Sequence, residues 1–259
     1  FAFCFPDVYE VGMSHLGMKI LYHMLNERED TVCERVFAPW DDMEQEMRKE
    51  GIPLLSMESY VPVKNFDFIG FTLQYEMSYS NIVNMLDLAG VPLRTAERTA
   101  GDPFVCCGGP CAYHAEPLSD FVDFFILGEG EEVNSEIMDV YKGVYVPKFY
   151  DVEYNDDNTI SRFEPNREGV PKQVRKRIIL NMDNTYVPKK LIVPFMETVH
   201  DRIMLELFRG CIRGCRFCQA GYIYRPVRER SVDKLVETAG ECIKNTGYEE
   251  MLMSSLSTS

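Results

Sequence analysis

Short apolar runs alternate along the chain with longer segments whose apolar residues recur every three or four positions. FAFCF at 1–5 is a continuous apolar run halted by Pro6-Asp7, and it predicts a buried strand. SHLGMKILYHMLNE follows, with Leu16, Ile20 and Met24 at helical spacing and Ser14 as the candidate N-cap. ERVFAP predicts a strand, DDMEQEMRKEG a helix stopped by Gly51, and FDFIGFTLQ a buried strand. SYSNIVNMLDLAG predicts another helix, DPFVCCGG a strand running into a glycine turn, and FVDFFILGEGEE a further strand with a helix through Met138 after it. Strand and helix in this order predict a parallel α/β sheet with helices on both faces over residues 1 to about 140.

The pattern then changes. VYVPKFYDVEYNDDNTISRFEP holds two aromatic and β-branched runs around Asn155-Asp156-Asp157-Asn158, which is a hairpin signal, and KQVRKRIILNM predicts a further strand. Residues 141–200 are therefore expected to form an antiparallel, β-rich connector. From 201 to 259 the order is strand (RIMLELFRG), loop, helix (SVDKLVETAGECIKNTG, with Ser231 as N-cap) and strand (EEMLMSSLSTS), the opening of a second α/β domain or barrel. The sequence begins and ends inside apolar runs, so a fragment of a longer protein is expected.

Composition narrows the class. With 46% apolar residues in 259, a sizeable core is affordable, and no apolar run approaches the roughly 20 residues of a membrane span. Nothing reads as a signal peptide. Nine cysteines, an odd and clustered set in a chain of this size, fit a reducing cytoplasm better than a disulfide scaffold. A net charge of −14 opposes generic nucleic-acid affinity. The segment 202–230 runs the other way, with seven Arg against Glu206 and Glu229, and is either a solvated basic face or a site for an anion.

Inside that segment lies RGCIRGCRFCQAGYIYRPVRERS, with Cys211, Cys215 and Cys218 separated by three and two residues and no further cysteine for 23 positions. Thiolates are soft ligands for zinc or for iron–sulfur clusters. Structural zinc wants four ligands, and here His200, Cys242 or the distant Cys106, Cys107 and Cys111 would have to close the site. A cubane cluster held by three cysteines keeps one iron open.

C-x-x-x-C-x-x-C after a strand and before a helix resembles the cluster motif of radical S-adenosylmethionine (SAM) enzymes. The resemblance implies a (β/α) barrel, here its truncated start, and a [4Fe–4S] cluster on Cys211, Cys215 and Cys218. It implies SAM on the open iron, with Phe217 near the adenine and Ser255, Ser257 and Thr258 at the place that holds the SAM amino group; the usual Gly-Gly-Glu is absent there. It further implies reductive cleavage of SAM to a 5′-deoxyadenosyl radical, fed by a reductant protein such as flavodoxin or ferredoxin. Residues 1 to about 132 are similar to the Rossmann/flavodoxin-like cobalamin-binding domain that precedes the barrel in one subfamily. That domain carries D-x-H-x-x-G after its first strand; Asp7 and Gly12 match, but Tyr9 stands at the histidine, and a phenol is a poor metal ligand. Thr72, Gly108 and Gly109 match its later turns. The residues leave two readings: cobalamin without a protein ligand, or the fold without the cofactor, its glycines serving as turns.

Other chemistry-bearing residues have plainer accounts. Cys106, Cys107, Cys111 and His114 (CCGGPCAYH) either hold a metal or are buried at a strand end. His15, His23 and His200-Asp201 suit packing and turns, and Arg225, Arg228 and Arg230 suit either an anion or internal salt bridges. PDVYEVGMSHLGMKILYHML, GEGEE, VPKFYDV and QAGYIYRPVRERS together resemble a bacterial group of B12-binding-domain radical SAM proteins. Those relatives carry a longer helical stretch between GEGEE and GVYVPKFY than the VNSEIMDVYK present here, which puts the junction 131–144 in question. The expected organisation is a cobalamin-binding-type domain at 1–140, a connector at 141–200 and the barrel start at 201–259, inactive alone, acting on an unknown substrate that is RNA-linked by analogy. The competing reading is a non-catalytic cobalamin- or nucleotide-binding or zinc-stabilised module.

Overall fold

Continuous apolar runs become the centre of a parallel sheet in a computed structural model that describes residues 1–131, 143–188 and 190–256. β1 (Ala2–Phe5), β2 (Glu34–Phe37), β3 (Phe68–Thr72), β4 (Phe104–Gly108) and β5 (Phe124–Ile126) lie in the order β2-β1-β3-β4-β5, all parallel, with β6 (Val144–Tyr145) antiparallel on β5. A strand buried on both faces has no polar side to alternate with, which is why FAFCF and FIGFT show none. After β1 the chain moves outward to β2, then returns past β1 to β3, so the β1/β3 border is the switch point of the sheet.

One face carries the core. Cys4, Phe71, Val105 and Phe125 pack with Met47 of α3 (Asp41–Glu50) and with Ile82, Met85 and Leu86 of α4 (Tyr79–Leu88). Each of the Val, Leu, Ile, Phe and Met side chains among them contributes about 1.5–3 kcal/mol on burial. A buried ion pair ties the connections to this core. Arg98 donates to the Asp123 carboxylate at 2.8 Å and to the carbonyls of Pro92, Leu93 and Phe121. Asp123 also accepts the Val105 N–H at 2.8 Å, which fixes the start of β4.

The predicted hairpin forms. β7 (Tyr150–Tyr154) pairs antiparallel with β8 (Ile160–Pro165), and Asn158 takes φ 63° in the turn. Tyr150 stacks on Phe163 at 4.7 Å between ring centres and meets Tyr145 at 5.3 Å. The strand expected over KQVRKRIILNM does not form. Only Arg177 finds a ladder position, bridging Gly128, because the loop leaving β5 offers just the Leu127 carbonyl and the Glu129 N–H. The helix expected through Met138 and most of the 131–144 junction lie outside the described residues.

Packing divides the chain into two compact units, Phe1–Val8 with Thr31–Ile178 and Tyr9–Asp30 with Ile179–Ser259. In the second, α1 (Tyr9–Gly12) and α2 (Leu16–Asn26) pack with the segment before β9. The Tyr9 ring lies 4.5 Å from Phe195, and the Tyr186 hydroxyl donates to Glu27 at 2.6 Å. Ser14 is not the N-cap of α2. Its hydroxyl donates back to Glu10 at 2.7 Å and accepts the His200 N–H, so His15 caps instead, its Nδ1 accepting from Met18 at 3.2 Å. β9 (Ile203–Glu206) and β12 (Met251–Ser254) pair in parallel through α6 (Val232–Thr246), which Ser231 caps as expected. β10 (Phe208–Arg209) and β11 (Arg228–Glu229) form a two-residue antiparallel ladder, and α5 (Ala220–Ile223) lies between them in sequence. Among the described residues no helix is long and apolar enough to cross a membrane.

Two substitutions test this account. Removing the Arg98 side chain leaves Asp123 as an unpaired buried charge, so Arg98→Ala is expected to cost about 3–5 kcal/mol in urea unfolding. A loss under about 1 kcal/mol would mean that the pair is a surface pair in solution. Gly109 has φ +100° and a Cβ there would stand 2.7 Å from the Leu73 carbonyl oxygen, whereas at Gly108 nothing lies nearer than 3.8 Å. Gly109→Ala should therefore lose about 1–3 kcal/mol, and Gly108→Ala should unfold close to wild type. Equal losses would remove the Leu73 contact as the cause.

Candidate functional site

The cysteine loop leaves the end of β9. Leu207 donates to the Ser254 carbonyl at 3.0 Å, and the short β10–β11 ladder then holds both stems. Gly210, at φ +105°, lies so close to the returning backbone that a Cβ would run into the Pro226 carbonyl. The loop is thus clamped at its base. Further out, the Cys218 N–H donates to the Cys215 carbonyl at 3.1 Å before α5 begins.

Cys211 and Cys218 are half-buried and Cys215 is exposed; all three are free thiols. Beside them Phe217 is 93% exposed and Ile212 71%. The other six cysteines are buried. Desolvation pushes the thiols of Cys33 and Cys106 up to about 12 and that of Cys111 up to about 11. Cys242 packs with Ile203 and Leu205 under α6, and Cys106 and Cys107, being adjacent on β4, face opposite sides of the sheet. Among the described residues no group of three or more His, Cys, Asp and Glu side chains stands in a metal-holding arrangement. The three loop thiols are therefore not gathered about one point. Their chemistry nonetheless fits a cluster: three soft donors, reduced, reaching solvent, on a segment held mainly at its ends.

At the end of the neighbouring strand β12, the Ser255 hydroxyl is shielded from solvent and has no hydrogen-bond partner among the described residues. Ser257 and Thr258 lie outside the described residues. The arginines are mostly committed elsewhere. Arg209 grips both oxygens of Glu206, at 2.8 and 3.0 Å. Arg228 donates to the Ile179 and Pro226 carbonyls, and Arg230 to Thr185 at 2.7 Å and to the Glu206 carbonyl. Arg202 pairs with Glu250 at 3.3 Å. Arg209, Arg228 and Arg230 thus serve the fold.

In the first unit Asp7, Thr72, Gly108 and Gly109 all fall at the carboxyl ends of β1, β3 and β4. Asp7 accepts the Val8 N–H at 2.8 Å, and the Thr72 hydroxyl accepts from Gln74 at 2.6 Å. The close approach that makes Gly109 a glycine comes from the Leu73 backbone, so that residue is explained without any ligand. Tyr9 and Gly12 belong to the second unit, where the Tyr9 hydroxyl accepts the Phe195 N–H at 3.3 Å.

A cluster at the same sheet end escaped sequence reasoning. Glu76, just past β3, accepts a hydrogen bond from His114 Nδ1 at 2.8 Å, and this bond holds its carboxyl below the usual range. Tyr79 donates to the carbonyls of Cys111 and His114 at 3.0 and 3.1 Å, fixing the turn that carries the histidine. The partners are 38 residues apart and no local pattern announces Glu76.

The chain is 27% identical over 253 residues to "Uncharacterized protein MJ0966" of Methanocaldococcus jannaschii, covering 94% of this chain and 46% of that protein. Its fold is similar to a radical S-adenosylmethionine methyltransferase, TsrM, of Kitasatospora setae. The TM-score is 0.55 against the structure with cobalamin and a [4Fe–4S] cluster bound, and 0.52 against that with tryptophan substrate and the SAM analogue aza-SAM. Both comparisons have 12% identity and cover 98% of this chain and 47% of that one, so the likeness is one of fold. The chain spans about half the length of the relatives it matches. Residues 17–149, just over half of the chain, match the family described as "Radical SAM proteins, N-terminal", and the chain belongs to that family.

Proposed function

We propose that this chain carries the cluster loop of a radical SAM enzyme, with Cys211, Cys215 and Cys218 as thiolate ligands to three irons of a [4Fe–4S] cluster. The observation that carries the reading is the partition of the nine cysteines: six are buried in cores, and the three that reach solvent share one clamped loop after a parallel strand. When bound, the cluster supplies the electron that cleaves SAM to methionine and a 5′-deoxyadenosyl radical, with a flavodoxin- or ferredoxin-like protein as donor. Phe217, exposed beside the third cysteine, would cover the adenine. The unpartnered Ser255 hydroxyl would accept a hydrogen bond from a polar group of SAM, with Ser257 and Thr258 beyond it. The β9-loop-α6-β12 unit is then the opening of the (β/α) barrel.

The same proposal places a corrinoid at the carboxyl ends of β1, β3 and β4, where open doubly wound sheets bind their ligands. A Cβ at Gly108 would meet only ordinary contacts, with Ile126 at 3.8 Å, and Thr72 and Asp7 line the same edge. Tyr9 is not a cobalt ligand in this reading, since its hydroxyl already serves Phe195. The reaction is modification of a substrate in the cytoplasm, the chemistry of which rests on residues beyond these two sites.

In the metal-free protein under native conditions, a thiol alkylating reagent should label Cys211, Cys215 and Cys218 and spare the other six, as mass spectrometry of the digest would read. Anaerobic reconstitution should protect the three and load iron with acid-labile sulfide. The Cys211→Ala/Cys215→Ala/Cys218→Ala variant should load neither and unfold like wild type, because none of the three is a core residue. Stoichiometric zinc without sulfide would sink the cluster and leave a zinc-stabilised module. In the full-length protein, the dithionite-reduced cluster should give an EPR signal that shifts when SAM is added. A signal indifferent to SAM would leave an electron-transfer role.

A further inference from the structure

The chain has four histidines, and His114 is the one that the first unit holds; His15, His23 and His200 all fall in the second. His114 ends the turn Pro110–His114, which follows directly on the carboxyl end of β4. Its ring is half-exposed and its Nδ1 is taken by Glu76, from the carboxyl end of β3. A carboxylate on Nδ1 selects the tautomer with hydrogen there and leaves the lone pair on Nε2, which has no partner among the described residues. This is the arrangement in which a metal-ligating imidazole is ordinarily found: one nitrogen oriented and made more basic by a carboxylate, the other free for the metal. The backbone is fixed as well, since the Tyr79 hydroxyl donates to the carbonyls of Cys111 and His114.

We propose that His114 Nε2, oriented by Glu76, is the axial ligand for the cobalt of a corrinoid seated at the carboxyl ends of β3 and β4. The inference rests on the corrinoid reading above and deepens it. Tyr9, which stands at the family's histidine position and is a poor metal ligand, accepts a hydrogen bond from Phe195 within the second unit, whereas the first unit has an imidazole of its own in the turn after β4. His114 is the liganding group; Glu76 and Tyr79 are positioning residues. A single ligand of this kind needs no cluster of protein donors, because the corrin ring fills the equatorial positions. The coordination change is simple: the Nε2 lone pair forms the cobalt–nitrogen bond and water is the group displaced.

The probe is cobinamide in its cobalt(II) form, a corrinoid that lacks the nucleotide base, so that any nitrogen on the axial position comes from the protein. Added anaerobically to the full-length protein, it should give an EPR spectrum with the triplet splitting of one axial nitrogen. His114→Ala should abolish the splitting while circular dichroism stays that of wild type. Glu76→Gln should keep the splitting but weaken cobinamide binding about 10-fold, the scale of losing the group that orients a metal-bound histidine. Absence of the splitting in the wild type, or its survival in His114→Ala, overturns the proposal. A parallel titration with cobalamin separates the two levels: cobalamin retained without a protein nitrogen defeats only the ligand assignment, whereas failure of both corrinoids to bind defeats the corrinoid site with it.

Discussion

Parallel strand pairing is the constraint on which the rest of this molecule depends. Parallel strands cannot be joined by a tight turn, so the chain must cross over between them and every strand must finish at the same edge. In the first unit this gathers Asp7, Thr72, Glu76, Gly108, Gly109 and His114, which are spread over more than a hundred residues, at one end of one sheet. In the second unit it sets the cysteine loop after β9 and Ser255 after β12, on strands whose registers run together from Met251 opposite Ile203 to Ser254 opposite Glu206. Both candidate sites are consequences of strand direction before they are consequences of any particular side chain.

That edge is only as well defined as the connections that return to it, and here the buried arginines do the holding. Arg98 reaches three carbonyls and a carboxylate at once, which a planar guanidinium with five donors can do and an ammonium on a flexible stem cannot. Arg228 and Arg230 do the same for the stems of the cysteine loop, spending their donors on Ile179, Pro226, Thr185 and Glu206. A segment that the sequence leaves open between a solvated basic face and an anion site supplies several internal fasteners. The charge is real, but most of it is neutralised or committed before any partner arrives.

What the sequence reveals and what it hides follow from the range of each interaction. FAFCF, FIGFT and FVCCG are legible as buried strands because burial on both faces writes itself into consecutive residues. Ser231 is legible as a cap because it bonds three residues ahead, to Lys234. Ser14 has the same local credentials, yet its hydroxyl is claimed by Glu10 and by the distant His200 N–H, and a tertiary contact overrides the local preference. The same holds for KQVRKRIILNM, whose residues suit a strand that finds only one ladder partner at Arg177. The three clustered cysteines are legible because their spacing is local. The Glu76–His114 pair and the Arg98–Asp123 pair are not, since each joins residues 38 and 25 positions apart through a fold that must exist first.

The cysteine loop and the glycine turn at the end of β4 show two opposite uses of backbone constraint. Gly109 is pinned from both sides, its positive φ and the Leu73 carbonyl leaving room for no side chain, and this rigid crossing launches the turn that ends in His114. Gly210 is pinned in the same way against Pro226, but what it launches is held chiefly at its base. Gly214, in the middle of the loop, has nothing within 4 Å of where a Cβ would be. A histidine that must present one nitrogen along one direction gains from a rigid, pre-oriented support, because the ordering is completed on folding rather than on binding. Three thiolates that must close around an inorganic cluster need the reverse, a fixed base with slack between the ligands, because cluster binding itself supplies the energy that orders them. The structure has the first kind of support under the imidazole and the second under the cysteines.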